Sequence, residues 1–173
     1  MAHLLLFVTT AGTTALLLLA SGCRSGTGGD FQSDRAQCQK NIRALENAVK
    51  EYTFDNEGRF PASLEDALAN IGFDDAKKSA HMLRCPGSYS NSTTATDLAS
   101  KMGYVYVDWS KSFDRTNAAP ESYPLIYDRF MQNHDGRGVN VISVGGEMRW
   151  DEGAAWLRGF ISQHRGYHLL LPQ

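Results

Sequence analysis

Not one Asp, Glu, Lys or Arg occurs in the first 22 residues. Over the whole chain neither sign dominates: 17 Lys and Arg stand against 19 Asp and Glu, a formal net charge of −2 at pH 7. That balance excludes a polyanion binder working through clustered basic charge, so no nucleic-acid partner is expected. Cysteine is scarce as well. Three in 173 residues are too few for a disulfide-stapled miniprotein, and no CxxC or two-Cys/two-His spacing points to a zinc site. No serine carries glycines at both offsets of a nucleophile elbow, and no HExxH helix is present. Gly136-Arg137-Gly138 is a lone GxG with neither a third glycine nor a following helix, so it does not make a phosphate cradle. What remains is ordinary globular composition, 42% apolar and 21% charged, which excludes disorder, collagen and a polytopic membrane protein. A single domain with a real core is expected.

The uncharged start is an apolar run from Leu4 to Ala20 interrupted by four threonines. It reads as the h-region of a secretory signal. Ala20-Ser21-Gly22-Cys23 follows, small residues leading into a cysteine. This ending resembles the lipobox of bacterial lipoproteins. The resemblance implies cleavage after Gly22, lipidation of Cys23 and a membrane attached through that anchor; the alternative is a retained anchor of marginal length. Residues 1–22 are then the signal peptide. Residues 23–30 form the lipidated cysteine and a Gly/Ser/Thr-rich tether, and residues 31–173 form the folded domain. Arg24, beside the acylated position, is not the aspartate that retains enteric lipoproteins at the inner membrane. Outer-membrane placement, on the periplasmic or surface face, is therefore expected over inner-membrane placement.

With Cys23 lipidated, Cys38 and Cys85 are left as an even pair in an exported protein. A disulfide between them is expected; two separately buried thiols are the alternative.

From Cys38 the apolar positions Ile42, Leu45, Val49 and Tyr52 recur at helical spacing, with Lys40, Arg43, Glu46, Asn47, Lys50 and Glu51 on the opposite, polar face. Ser33 or Asp34 is placed to cap this helix, and Asp55-Asn56-Glu57-Gly58 suits its exit. Ser63 with Asp66 forms a capping pattern for a short second helix ending near Gly72. Residues 74–103 read mostly as loop, with a turn at Cys85-Pro86-Gly87. The period then becomes two. Tyr104 to Trp109 is expected as a strand offering Val105, Val107 and Trp109 to one face and Tyr104, Tyr106 and Asp108 to the other. Pro124 to Tyr127 is a shorter strand, and Val139 to Val144 with Glu147 to Trp150 forms a hairpin about Gly145-Gly146. Asp151 caps a last helix carrying Trp156, Leu157, Phe160 and Ile161. The expected class is α+β: an N-terminal amphipathic helix on a small antiparallel sheet of at least three strands, with a short C-terminal helix.

Cys38-Gln39-Lys40-Asn41-Ile42-Arg43-Ala44-Leu45, continuing to Tyr52-Thr53-Phe54-Asp55-Asn56-Glu57-Gly58-Arg59-Phe60-Pro61, resembles the helix and exit of type II secretion pseudopilin-like proteins. The similarity is to the large branch found in planctomycete and verrucomicrobial bacteria. Its downstream marks are Cys85-Pro86, His134 and the strand Asn140-Val141-Ile142-Ser143-Val144 before a closing strand. The likeness runs over residues 38–150 and implies a pilin-like globular fold. Two departures bear on function. The chain has no Gly-Phe-x-x-x-Glu cleavage site and no unbroken hydrophobic helix entering the domain, which argues against a filament-forming role. The family's Asp-Gly is replaced by Gly145-Gly146, so any role of that acid is absent.

His134 stands in the family's recurrent position and can hydrogen-bond a turn carbonyl or an acid such as Asp128, a structural role that fixes the loop. No catalytic residue and no metal ligand set is assigned. Asp114, Asp128, Asp135 and Glu147 can supply hard oxygen ligands for calcium, but without a dense ligand loop. His164 and His168 have metal-pair spacing interrupted by Gly166 and read as surface histidines. Asn91-Ser92-Thr93 is a glycosylation sequon that reads as a polar loop. Tyr104, Tyr106, Trp109 and Trp150 can line a binding face, although packing accounts for them first. The sequence therefore points to a non-enzymatic, lipid-anchored structural or interaction protein of the cell envelope, with an envelope protein as partner. The competing expectations are a minor pseudopilin-like component of a secretion or pilus system, and an envelope glycan-binding protein or hydrolase.

Overall fold

Helix α1 (Phe31–Asp55) runs for 25 residues and buries the face that its spacing dictates. Cys38, Ile42, Leu45 and Val49 are inaccessible or nearly so. The helix already contains Ser33 and Asp34, so neither is its N-cap; Asp34 instead places a carboxylate in the first turn. Its exit uses positive φ at Glu57 and Gly58, with Gly58 N donating to Thr53 O at 2.8 Å. Helix α2 (Leu64–Asn70) is capped as its sequence requires: Ser63 Oγ accepts from Asp66 N at 3.1 Å and donates to Asp66 Oδ2 at 2.9 Å.

The computed structural model describes residues 31–73, 82–86, 102–109, 119–165 and 169–173. Cys23 with its leader and tether, most of the expected 74–103 loop including Asn91, and also Asp114 and His168, lie outside the described residues.

Four strands, β1 (Tyr104–Tyr106), β2 (Pro124–Asp128), β3 (Gly138–Ser143) and β4 (Met148–Glu152), pair antiparallel in chain order. The hairpin closes as Gly145-Gly146 predicts, with Gly146 at φ 85°. Strand β1 is half the expected length. Val107 N still reaches Leu125 O at 2.9 Å, but Pro124 next along β2 has no N–H to extend the ladder.

Strand alternation sorts the sheet into two covered faces. Tyr104, Ile126, Asp128, Asn140, Ile142 and Trp150 lie on the face beneath α1, where Arg35 of that helix sits 4.3 Å over the Trp150 ring. Val105, Trp109, Tyr127, Val141 and Asp151 lie on the other face, covered by helix α3 (Ala155–Gln163) and the C-terminal residues. There Trp109 meets Phe160 edge-on at 6.4 Å, and the Tyr127 hydroxyl donates to Leu170 O. Every residue of β2 and β3 is buried as a result.

Tyr104 is 2% exposed, because α1 closes its face of the sheet, so packing does account for this aromatic. One expectation is corrected by this layering. Helical spacing alone puts Glu46 on the polar face of α1, yet it is wholly buried beneath the hairpin turn. Its carboxylate accepts from Arg43 Nη1 at 3.1 Å and pairs with Lys50, while Arg43 Nη1 also donates to Gly146 O at 2.7 Å. A buried carboxylate is tolerated because both cations come from its own helix, one turn away on either side.

Helix α3 is capped by Asp151, but from outside the helix. Asp151 Oδ1 accepts from Trp156 N at 3.0 Å and Oδ2 from Leu157 N at 2.8 Å, whereas the N-cap residue itself is Ala154 at φ 53°. A strand residue thus satisfies two of the orphan amides that begin every helix.

Candidate functional site

Cys38 projects from the second turn of α1 and forms a disulfide with Cys85, 47 residues away, at a Cα separation of 5.4 Å. Both cysteines are buried. The segment carrying Cys85 is held by its neighbours. Arg84 O accepts from Asn41 Nδ2 at 3.1 Å and from the Tyr104 hydroxyl at 3.4 Å, and Gly103 N donates to Leu83 O at 2.8 Å. A Cβ at Gly103 would stand 2.5 Å from Cys85 N, so only glycine allows this approach.

Against the disulfide lies a polar cluster built from β2, β3 and the 3₁₀ turn Met131–His134. His134 Nε2 is 2.9 Å from Asp128 Oδ2 and 3.9 Å from Cys85 Sγ. The same carboxylate oxygen accepts from Asn140 N at 2.6 Å and Asn140 Nδ2 at 2.8 Å. Asn140 Oδ1 in turn accepts from Gln39 Nε2 of α1 at 3.1 Å. The imidazole meets the Trp150 ring edge-on at 5.6 Å. Burial drives the Tyr104 phenol far above its ordinary pKa, and the nearby Asp128 carboxylate pushes it the same way.

The side chains of Asp128 and His134 are both fully withdrawn from solvent. In that state the acid and the imidazole present no face to solvent, and they orient a turn and the sulfur beside it. Asn140 belongs to the cluster although sequence reasoning gives it no role beyond opening the family-like strand. Its signal is a lone amide inside Val139-Asn140-Val141-Ile142, a run otherwise apolar on both faces.

The calcium candidates do not converge among the described residues. Asp128 is interior, Asp135 and Glu147 are exposed, and Glu147 pairs with Arg149 at 3.0 Å. His164 ends α3, stacked on Phe160 at 4.0 Å with Nδ1 2.9 Å from Phe160 O. Of the four aromatics for which packing is the first account, Tyr104 and Trp109 are buried in the core, Trp150 packs between His134 and Arg35, and the Tyr106 hydroxyl donates to Pro61 O at 2.9 Å. The partly exposed Tyr123, Trp156 and His164, with the buried Phe160 beneath them, line an open cleft of about 380 Å³ along α3.

No protein-family model, curated protein or solved structure matches this chain.

Proposed function

We propose that this chain is a lipid-anchored protein of the bacterial cell envelope, with a structural or interaction role and a pseudopilin-like globular domain. The observation that carries the reading is the buried Cys38–Cys85 disulfide in the middle of the core. Disulfides of this kind belong to oxidising compartments, in keeping with the secretory leader and the lipobox-like Ala20-Ser21-Gly22-Cys23. A long helix laid across one face of a meander sheet is also the arrangement that the pseudopilin resemblance implies. The non-enzymatic part rests on the burial of the Asp128–His134 pair.

Attachment is tested by feeding cells a palmitate analogue. The wild type should carry the label and fractionate with membranes, because two acyl chains hold a protein stably at a bilayer. Cys23→Ala should leave an unlabelled precursor of larger apparent mass. An unlabelled wild type of unchanged mass would mean a retained anchor, and the filament role would then be reopened. Co-purification with pseudopilins would place the protein in a secretion or pilus assembly. The aromatic cleft along α3 favours one further reading: glycan binding that is lost in Trp156→Ala would make it a glycan-recognition protein.

A further inference from the structure

We propose that reduction of the Cys38–Cys85 disulfide converts this cluster into a tetrahedral site for a zinc-type divalent cation, held by the two thiolates, His134 and Asp128. One ligand atom from each of these four buried residues already lies within 4.8 Å of the others. They arrive from α1, the Cys85 segment, β2 and the 3₁₀ turn, so the fold and not a local sequence motif assembles them. Zinc bonds of ~2.0–2.3 Å set neighbouring ligand atoms roughly 3.3–3.8 Å apart in a tetrahedron. His134 Nε2 stands 3.9 Å from Cys85 Sγ and 2.9 Å from Asp128 Oδ2. The bonded sulfurs must move furthest, which breaking their bond allows, and the other pairs already stand within 4.8 Å.

A second observation points the same way. Asp128 Oδ2 collects all three of that side chain's contacts, while Oδ1 is buried with no hydrogen-bond partner among the described residues. A buried acceptor left unmet is costly, so this carboxylate holds acceptor capacity beyond the donors that the fold supplies to it. The two Asn140 donors meanwhile orient the carboxylate, as the outer partners of metal ligands do. Two thiolates with one imidazole select a borderline-soft ion over calcium or magnesium.

The redox step needs a dithiol. Its thiolate attacks one sulfur of the disulfide and expels the other; its second thiol then resolves the mixed disulfide. The dithiol leaves as a disulfide, and its two electrons and two protons pass to Cys38 and Cys85. Metal binding displaces those two thiol protons to solvent, with the His134 proton on Nδ1 so that the Nε2 lone pair faces the ion. The site is independent of the lipid anchor, so its test stands apart from that of the proposed function.

The experiment uses the full chain carrying Cys23→Ser in detergent micelles, which leaves Cys38 and Cys85 as its only thiols. Cobalt(II) is titrated into the oxidised and the dithiol-reduced protein. One equivalent should give the intense ligand-field and thiolate charge-transfer absorption of tetrahedral cobalt in the reduced protein alone. His134→Ala and Asp128→Asn should each weaken binding by about tenfold or more. Zinc should raise the Tm of the reduced chain, or restore its near-ultraviolet circular dichroism if reduction unfolds it. Absence of tetrahedral cobalt from the reduced chain overturns the proposal. So does equal affinity in the two variants and the parent chain, which would mean capture by two cysteines of an opened chain.

Discussion

Asp128 and His134 meet at 2.9 Å with neither side chain exposed to solvent. One acid thereby ties together the end of β2, the turn that follows and, through Asn140, the start of β3. Its removal should be felt more than that of the histidine. Asp128→Ala strands three buried donors, each worth ~1–3 kcal/mol when left unsatisfied, whereas His134→Ala removes one partner of the carboxylate. Urea midpoints should rank wild type, His134→Ala and Asp128→Ala in falling order. The reverse order would place the anchoring role on the imidazole.

Peptide mapping without reductant should recover the Cys38 and Cys85 peptides linked. The double Cys→Ser variant should lose up to ~4 kcal/mol by the chain-entropy model for a loop of this length. Two thiols that alkylate freely in the folded protein would contradict the linkage.

Burial raises the Tyr104, Tyr106 and Tyr127 phenols above their ordinary value of 10. Because the folded pKa exceeds the unfolded one, the neutral tyrosines stabilise the fold fully below pH 10 and lose that contribution as the pH climbs further. Rapid alkaline titration followed by tyrosinate absorbance should show these three ionising only as the chain unfolds. Smooth ionisation near pH 10 with the fold intact would refute their burial.

Two glycines predict opposite signs. Gly103→Ala would drive a methyl to 2.5 Å from Cys85 N, so the cysteine segment must shift, and a loss of about 1–3 kcal/mol is expected. Gly159 lies within α3, and a methyl added there would meet nothing within 4 Å, so Gly159→Ala should gain about 0.5–1 kcal/mol of helix propensity. Thermal unfolding of both variants decides each sign.

Glu46→Gln should destabilise the hairpin contact, because a neutral amide cannot serve the cations of both Arg43 and Lys50 as the carboxylate does. A cost of about 1–3 kcal/mol in urea unfolding is expected. An unchanged midpoint would make the cluster energetically silent.

Much of the architecture is legible from local chemistry. The spacing from Cys38 to Tyr52 dictates one apolar stripe, Ser63 and Asp66 can satisfy a helix start together, and Gly145-Gly146 permits the positive φ of a tight turn. Each of these depends on residues a few positions apart, where backbone geometry alone decides which side chains meet. Cys38 and Cys85 pair by counting, once the expected lipidation of Cys23 sets the third cysteine aside. Tertiary structure decided what lies over each face. The sheet is covered on both sides, which buried Tyr104 and made a lone strand amide, Asn140, the partner of Asp128. A hairpin turn about a hundred residues downstream closed over Glu46, and a strand carboxylate, Asp151, capped a helix from outside it. Periodicity tells which residues share a face; only the packing of distant elements determines whether that face meets water, a cation or another layer of the protein.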